Sequence, residues 1–305
     1  MDLFELETFL AVIREGSFSA AARVVHRTQP AVSQIVRRLE GEVGQPLFDR
    51  SSRRGVLTDA GRELQRHAER LLNLHRQAIV ALDDLRQLKT GRLTVAANEM
   101  TCLYLLPVVS EFRRLHPAVH VTIERALASR IPTAVSDYGA DLGIVTYEPD
   151  DPALRSIVVY RDELVFVVPP SHALAGQRRV SIRRLAGEAF IAHHVASPYR
   201  RRVIETFHRR HVTLQMPVEM PTIEAIKRFV AMGHGVALLP GISVEAELAR
   251  GELVRVPVPE LAFERSLRLV HVRKATLSHA TRAFLGVVER RAARERGRHL
   301  FKVER

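Results

Sequence analysis

With 305 residues, the chain is long enough for about two domains, each burying its own core. Forty-six Lys and Arg against 34 Asp and Glu give a net charge of +12, which favours a nucleic-acid or other anionic partner. A single cysteine, Cys102, excludes an internal disulfide and a cysteine-based zinc cluster. No segment approaches the roughly 18 apolar residues of a membrane span, so the chain reads as soluble and cytoplasmic, with no membrane partner.

Much of the charge excess is C-terminal, with 12 basic and 3 acidic side chains from 265 to 305, but Arg23 to Arg54 also holds seven arginines against Glu40, Glu42 and Asp49. The first apolar positions, Leu3, Phe4, Leu6, Phe9, Leu10 and Ile13, recur at helical spacing and stop at Gly16, predicting a first helix. Ser17 or Phe18 opens a second, alanine-rich helix that ends in a tight turn at Arg27 and Thr28. Thr28 is placed to cap a third helix, with Pro30 in its first turn, where no N–H is required. On that helix Ala31, Ile35 and Leu39 are expected to face inward, while Gln29, Ser33, Arg37 and Arg38 point elsewhere. Two short strands follow around Phe48 and Val56–Leu57, joined by an arginine-rich tip, and form a wing.

Thr58 is placed to cap a long helix from about Asp59 to Leu88. Leu64, Ala68, Leu71, His75, Ala78, Leu82 and Leu85 repeat along it as a coiled-coil seam. Such a helix spans roughly 45 Å, too long for one small domain to cover, and predicts self-association. After Gly91 the pattern changes to strands alternating with helices. Strands are predicted at 93–97, 119–123 and 141–145, with helices at about 101–115 and 128–137. A second unit carries strands at 164–168, near His193 and at 236–239, with helices at 198–209, 222–232 and 243–249. The alternation argues for a parallel sheet covered on both faces, with ligands at the strand C-termini. Strands at 157–161 and 267–272 are placed to carry the chain between the halves.

A capped helix offering Gln29 and Ser33 beside a wing with Arg50, Arg53 and Arg54 suits DNA, since glutamine can pair with adenine in the major groove and arginines at a wing tip can meet phosphates or the minor groove. A three-helix packing module with a solvated basic face is the plainer alternative. The fourteen histidines do not build a metal site, because His193 and His194 face opposite sides of a strand and no His-Glu-x-x-His occurs. No G-x-S-x-G elbow is present either, so no enzyme activity and no cofactor are indicated. In GHGVALLP, close backbone packing at Gly235 and a turn at Pro240 are favoured over phosphate binding.

The stretch FLAVIREGSFSAAARVVHRTQPAVSQIVRRLEGEVGQPLFDR followed by LTDAGR resembles the LysR-type transcriptional regulators, as do TVAANEMTCLYLLP, DLGIV, VVPPSHALA and MGHGVALLP further on. The resemblance covers residues 1 to about 290. It implies a winged helix-turn-helix at 1–58, a linker and dimerisation helix at 59–90, a two-lobed α/β periplasmic-binding-protein-like effector domain at 91–295, and a basic tail at 296–305. The lobes would comprise about 91–161 with 268–295, and 162–267. The implied function is sequence-specific promoter binding modulated by a small-molecule effector. Homodimers assembling to a homotetramer are also implied, with activation favoured and RNA polymerase as a further partner. The rival reading is a small-molecule-binding assembly protein with only non-specific DNA contact.

Carried onto this sequence, the DNA-binding residues are Thr28, Gln29, Pro30, Ser33, Gln34, Arg37, Arg50, Arg53 and Arg54. The effector-binding residues are Asn98, Glu99, Met100, Thr101, Cys102, Ser129, Thr146, His193, Ser197 and Thr222. Asn98 and Glu99 depart from the small hydroxylated pair common in the family. A cleft-facing Glu99 would favour an amine or zwitterion over a dianion, whereas a solvent-facing one leaves the ligand class open. Cys102 near a helix N-terminus suggests a lowered thiol pKa, but the family's redox sensors use a second cysteine that this chain lacks, which favours a wall or packing role.

Overall fold

Three short helices open the chain, and each is started and stopped by the residues at its own ends. In the computed structural model, which describes residues 1–49, 56–86, 91–195, 197–273, 275–295 and 297–303, α1 (Leu3–Glu15) begins with an Asp2/Glu5 capping box and ends at Gly16 in the left-handed region. Ser17 caps α2 (Phe18–Val24), accepting from the Ala20 N–H at 3.1 Å. Thr28 caps α3 (Gln29–Val43), with Pro30 in the first turn and Gly44 closing the helix. These helices bury Leu6, Phe9, Val12, Ala21 and Ala22 against Phe48, whose ring meets Phe9 and Phe18 edge-on at 5.5 and 5.4 Å.

The inward row of α3 is Val32, Val36 and Leu39, rather than Ala31, Ile35 and Leu39. Residues seven apart fall within about 20° of each other around the helix, whereas residues eight apart differ by about 80°. The stripe that includes Leu39 therefore passes through Val32 and leaves Ala31 and Ile35 half-buried at its edge. Arg38 is exposed as expected, but its guanidinium is engaged. It pairs with Glu5, whose side chain is 2% exposed. Burial pushes the Glu5 carboxyl upward, but the Asp2 N–H and Arg38 outweigh it and hold the group below its ordinary value.

The wing is an antiparallel bridge between Phe48 and Leu57, and its tip, with Arg50, Arg53 and Arg54, lies outside the described residues. Thr58 then caps α4 (Asp59–Arg86), its Oγ accepting from the Gly61 N–H at 3.0 Å and donating to the Pro46 carbonyl at 2.7 Å. Gly61 is required by packing, because a Cβ there would lie 2.1 Å from the Leu47 oxygen. The expected seam is divided. Leu64 and Ala68 pack into the three-helix core with Leu72, while Leu71, His75, Ala78 and Leu82 are exposed.

The chain divides into two compact units, Met1–Gly91 with Thr133–Ala140, and Arg92–Pro132 with Asp141–Arg305. From Gly91 onward, β1 (Gly91–Ala97), β2 (Val119–Arg125) and β3 (Leu142–Val145) alternate with α5 (Glu99–Leu115) and with α6 (Ile131–Ser136), most of which belongs to the first unit. Strand β4 (Leu154–Val168) then runs without a break through both lobes, where two separate strands were expected. Arg161, Asp162 and Glu163 interrupt its apolar pattern in sequence, but Asp162 and Glu163 have partners across the ladder in Arg265 and Arg255. The second lobe continues with β5 (Ala189–His193), α7 (Pro198–Arg209), β6 (Gln215–Met220), α8 (Ile223–Ala231), β7 (Ala237–Pro240), α9 (Gly241–Arg250) and β8 (Val254–Arg255). The chain returns through β9 (Glu264–Val272), α10 (His279–Arg294) and β10 (His299–Val303).

The first lobe's strand order is β2-β1-β3-β9-β4-β10. It is a mixed sheet rather than the expected parallel one, with β1 and β3 parallel but β9 antiparallel to both β3 and β4. The chain leaves this lobe along β4 and comes back along β9, so these two strands must run in opposite directions. In the second lobe β5 pairs with β6 in parallel, and β7 and β8 pair antiparallel with the end of β4. Side chains alternate across the end of β4, so Leu164, Phe166 and Val168 enter one core and Val165 and Val167 the other. Gly235 admits the backbone of β5, since a Cβ would lie 2.4 Å from the Ala189 oxygen. The segment expected as a basic tail instead adds β10 to β4, with His299 opposite Tyr160 and in edge contact with its ring.

Candidate nucleic-acid interface and ligand cleft

On α3 the cap and proline orient the first turn, and the buried stripe determines which side chains remain outside. Gln29, Pro30, Gln34 and Arg37 are exposed and Ser33 is half-buried, spread over an arc of about 140° that starts beside the buried stripe and turns away from it. Thr28 is also exposed, but its hydroxyl accepts from the Ala31 N–H. Arg38 is held by Glu5 and Asp2, so Arg37 is the cation of this pair that is free to face a partner. The helix thus presents two amides, a hydroxyl and one guanidinium, a set suited to base edges and phosphate.

In the second unit a cleft of about 710 Å³ lies at the C-terminal ends of the strands. Of the expected effector residues, Asn98, Met100, Ser129, Thr146, His193 and Ser197 line it, while Glu99, Thr101, Cys102 and Thr222 do not. Asn98 accepts from the Met100 and Thr101 N–H groups at 3.0 and 2.9 Å, and Thr101, fully buried, accepts from the Asn98 N–H in return. This pair is a capping box for α5. Ser197 caps α7 through the Arg200 N–H at 3.1 Å, and Thr222 caps α8 through the Ala225 N–H at 3.2 Å.

Glu99 is not itself a lining residue, although it contacts two of them and its side chain is 34% exposed. Its carboxylate accepts from the Ile223 N–H at 3.0 Å, a second acceptor at the start of α8, and lies 3.8 Å from His193 Nε2. His193 Nδ1 accepts from the Val195 N–H at 3.1 Å. Burial lowers the His193 pKa despite Glu99, so a neutral ring with its proton on Nε2 fits both contacts. Cys102 is half-buried against the first lobe's core, and burial raises its thiol pKa, opposite to the lowering its place near a helix N-terminus suggested.

Arg265, like Tyr199, Arg200 and Arg201, is a cleft residue that sequence reasoning missed. It sits on β9 directly opposite Asp162 on β4, where the two strands pass between the lobes. Their side chains are 1% and 0% exposed, with Nε 3.6 Å from Oδ2. Asp162 Oδ1 accepts from the Ile242 N–H at the start of α9, whereas its Oδ2 and the Arg265 Nε and Nη1 have no hydrogen-bond partner. Burial raises the Asp162 pKa and lowers that of Arg265, each against the attraction of the other. The Arg265 guanidinium also lies 5.6 Å from the Tyr199 ring centroid, and the Tyr199 hydroxyl, donating to the Thr146 carbonyl at 3.2 Å, fixes that ring. Unmade buried hydrogen bonds cost about 1–3 kcal/mol each, a penalty that the attraction between the two charges offsets. Its strand parity was the available signal, because Arg265 shares the inward face of β9 with Leu267 and Leu269.

Two family models match the chain. One, for the bacterial regulatory helix-turn-helix protein of the lysR family, covers residues 3–62, and the other, for the LysR substrate binding domain, covers residues 86–293. The RuBisCO operon transcriptional regulator of Allochromatium vinosum is 30% identical over 294 residues, 96% of this chain and 97% of that one. Full-length CbnR in complex with its target DNA has a TM-score of 0.73 at 19% identity, covering 95% of this chain and 99% of CbnR. The regulatory domain of CcmR from Synechocystis PCC6803, in complex with 2-PG, has a TM-score of 0.59 at 27% identity, covering 65% of this chain and 95% of that domain. Among the described residues no helix is long and apolar enough to cross a membrane, and no cluster of His, Cys, Asp and Glu could hold a metal ion.

Proposed function

This chain belongs to the LysR family of DNA-binding transcriptional regulators with an effector-binding domain, and we propose that it reads a specific promoter through α3 and that a small molecule in the cleft of the second unit modulates that binding. Gln29, Ser33 and Gln34 meet base edges, with Thr28 and Pro30 fixing the first turn. Arg37 meets phosphate, and Arg50, Arg53 and Arg54 of the wing tip meet phosphate or the minor groove. The functional divisions are 1–58, 59–90 and 91–295. The exposed face of α4 pairs two copies, and pairs assemble to a homotetramer that acts mainly as an activator and engages RNA polymerase. Effector binding shifts the two lobes, and through the tetramer it changes the spacing and angle of the DNA-binding pairs.

The observation that carries this reading is the solvent-facing side of α3, where Gln29 and Ser33 flank the buried Val32–Val36–Leu39 stripe and Arg37 and Gln34 continue away from it. Regulation is carried by the protein's binding equilibria, and the chain is a regulator rather than an enzyme. The test is footprinting of the full-length protein on its native promoter, with binding to a two-fold symmetric duplex and a scrambled one at moderate salt. Paired half-sites, and a change of preferred sequence in Gln29→Ala/Ser33→Ala, are expected. Arg37→Ala should weaken all duplexes alike. Equal affinity for both duplexes would instead support an assembly protein with only non-specific DNA contact.

A further inference from the structure

We infer that the outer surface of the second lobe carries an arginine strip that holds the backbone of a DNA duplex without reading its sequence. The strip lies outside both the recognition helix and the cleft, and the inference depends on neither. Charge is unevenly spread over this part of the chain. Residues 177–214 hold nine arginines against Glu188 and Glu205, whereas the remainder of 91–264 holds eleven basic and seventeen acidic side chains. Eight of the nine arginines are exposed, and the ninth, Arg200, is engaged by Glu219 and the His193 carbonyl.

Six of them gather around the turn Pro259–Leu261. The Val180 N–H donates to the Pro257 carbonyl at 2.9 Å, which brings Arg178 and Arg179 to this turn. Ser181, the cap of the turn Ile182–Leu185 that bears Arg183 and Arg184, donates to Glu260 at 3.3 Å. On α7 the Arg202 guanidinium lies 4.9 Å from the centroid of the Phe263 ring. Arg209, seven residues on, falls within about 20° of Arg202 around the helix and about 10 Å further along it. Ile182, Leu185, Phe207, Leu261 and Phe263 form one core beneath these segments.

Among the described residues none of the six arginines forms an ion pair, although acidic side chains are close. Glu188 is taken by His172 at 3.2 Å and Glu260 by Ser181, while Glu205 is exposed on α7 within one turn of Arg202 and Arg209. Like charges gathered on one face repel, and a polyanion relieves that repulsion. An acidic protein would need apolar anchors as well as charge. The apolar side chains between the arginines are buried, and the exposed Ile204 of α7 is about 160° around the helix from Arg202. A face that offers guanidinium groups without apolar anchors fits backbone phosphates, which arginine can grip with two hydrogen bonds. Another unit of the same chain binds DNA, and tethering strengthens such weak contacts.

The test measures binding of the full-length protein to a random-sequence duplex of about 60 base pairs, between about 50 and 200 mM salt. In Arg179→Gln/Arg183→Gln/Arg184→Gln/Arg209→Gln the slope of log K against log salt should become shallower by about two or more, since each phosphate contact contributes about 0.9. The charge-matched variant Arg113→Gln/Arg114→Gln/Arg282→Gln/Arg290→Gln removes four exposed arginines of the first lobe and should change the slope by about 0.5 or less. In the parent protein the duplex should also shield Arg179, Arg183, Arg184 and Arg209 from phenylglyoxal, read by peptide mass spectrometry, while the four first-lobe arginines stay reactive. Equal slopes in the two variants, or a fully reactive strip in the saturated complex, would overturn the inference. Shielding by polyglutamate but not by the duplex would overturn it too, and would assign the strip to an acidic protein.

Discussion

Removing Arg265 or Asp162 alone should be far more damaging than removing both. At the observed 3.6 Å and an effective dielectric of about 20, two unit charges attract by about 5 kcal/mol. In Arg265→Met the aliphatic volume is kept, but a carboxylate with no exposed surface is left with backbone N–H partners alone, from Glu163 and Ile242. The expected cost is about 3–5 kcal/mol, toward the low end because the start of α9 helps to stabilise the negative charge. Asp162→Asn retains an acceptor for Ile242 but strands the guanidinium, at a similar cost. In Asp162→Asn/Arg265→Met neither charge remains, and stability should return to within about 1–2 kcal/mol of the parent, a coupling of about 4–5 kcal/mol. Hydrogen exchange of the peptides that span β4 and β9 reads this region directly, apart from the DNA-binding unit. Costs that simply add in the double variant would show that the two groups do not act as a pair, and the account of the strand crossing would fail.

Gly61→Ala places a Cβ 2.1 Å from the Leu47 oxygen, which is itself held by the Thr58 N–H at 3.0 Å. A loss of about 3 kcal/mol from the DNA-binding unit is expected, and an unchanged melting temperature would contradict it. Leu71 and Leu82 are 44% and 56% exposed on α4, so Leu71→Glu/Leu82→Glu should weaken self-association more than about a hundredfold in sedimentation experiments, given about 1.5–3 kcal/mol for each leucine buried between copies. His271, mostly buried on β9, has its pKa lowered by burial. The unfolded chain therefore binds the extra proton first, so stability falls as pH drops below about 6.5. Thermal melts from pH 7.5 to 5.5 should show a shallower decline in His271→Gln, and identical slopes would assign the acid sensitivity to other groups.

The boundaries of the first helices were legible because they depend on residues three or four apart. Ser17 and Thr28 cap helices whose first turns they touch, and Gly16 and Gly44 end helices by adopting the left-handed region. Asn98 was also visible, but as a ligand residue. It lines the cleft, and its Oδ1 also accepts from two backbone N–H groups, because the same side-chain chemistry serves a helix cap and a polar cleft wall. Spacing alone misassigned Ala31 and Ile35, since rows four apart drift around a helix and only the packing of α1 and α2 shows where the core begins.

By itself, the order of residues determined the capped recognition helix, the position of the wing, the apolar stripe along α4 and the alternation that makes a two-lobed α/β unit. Folding decided the rest. Glu99 reaches a backbone N–H 124 positions away, Arg265 meets Asp162 across a strand pair, and the C-terminal segment becomes a strand because β4 offers it an edge. Caps and periodicity are enforced by neighbours along the chain and can be read there. The buried Asp162–Arg265 pair forms where β4 and β9 cross, between groups whose approach depends on the path of the whole domain.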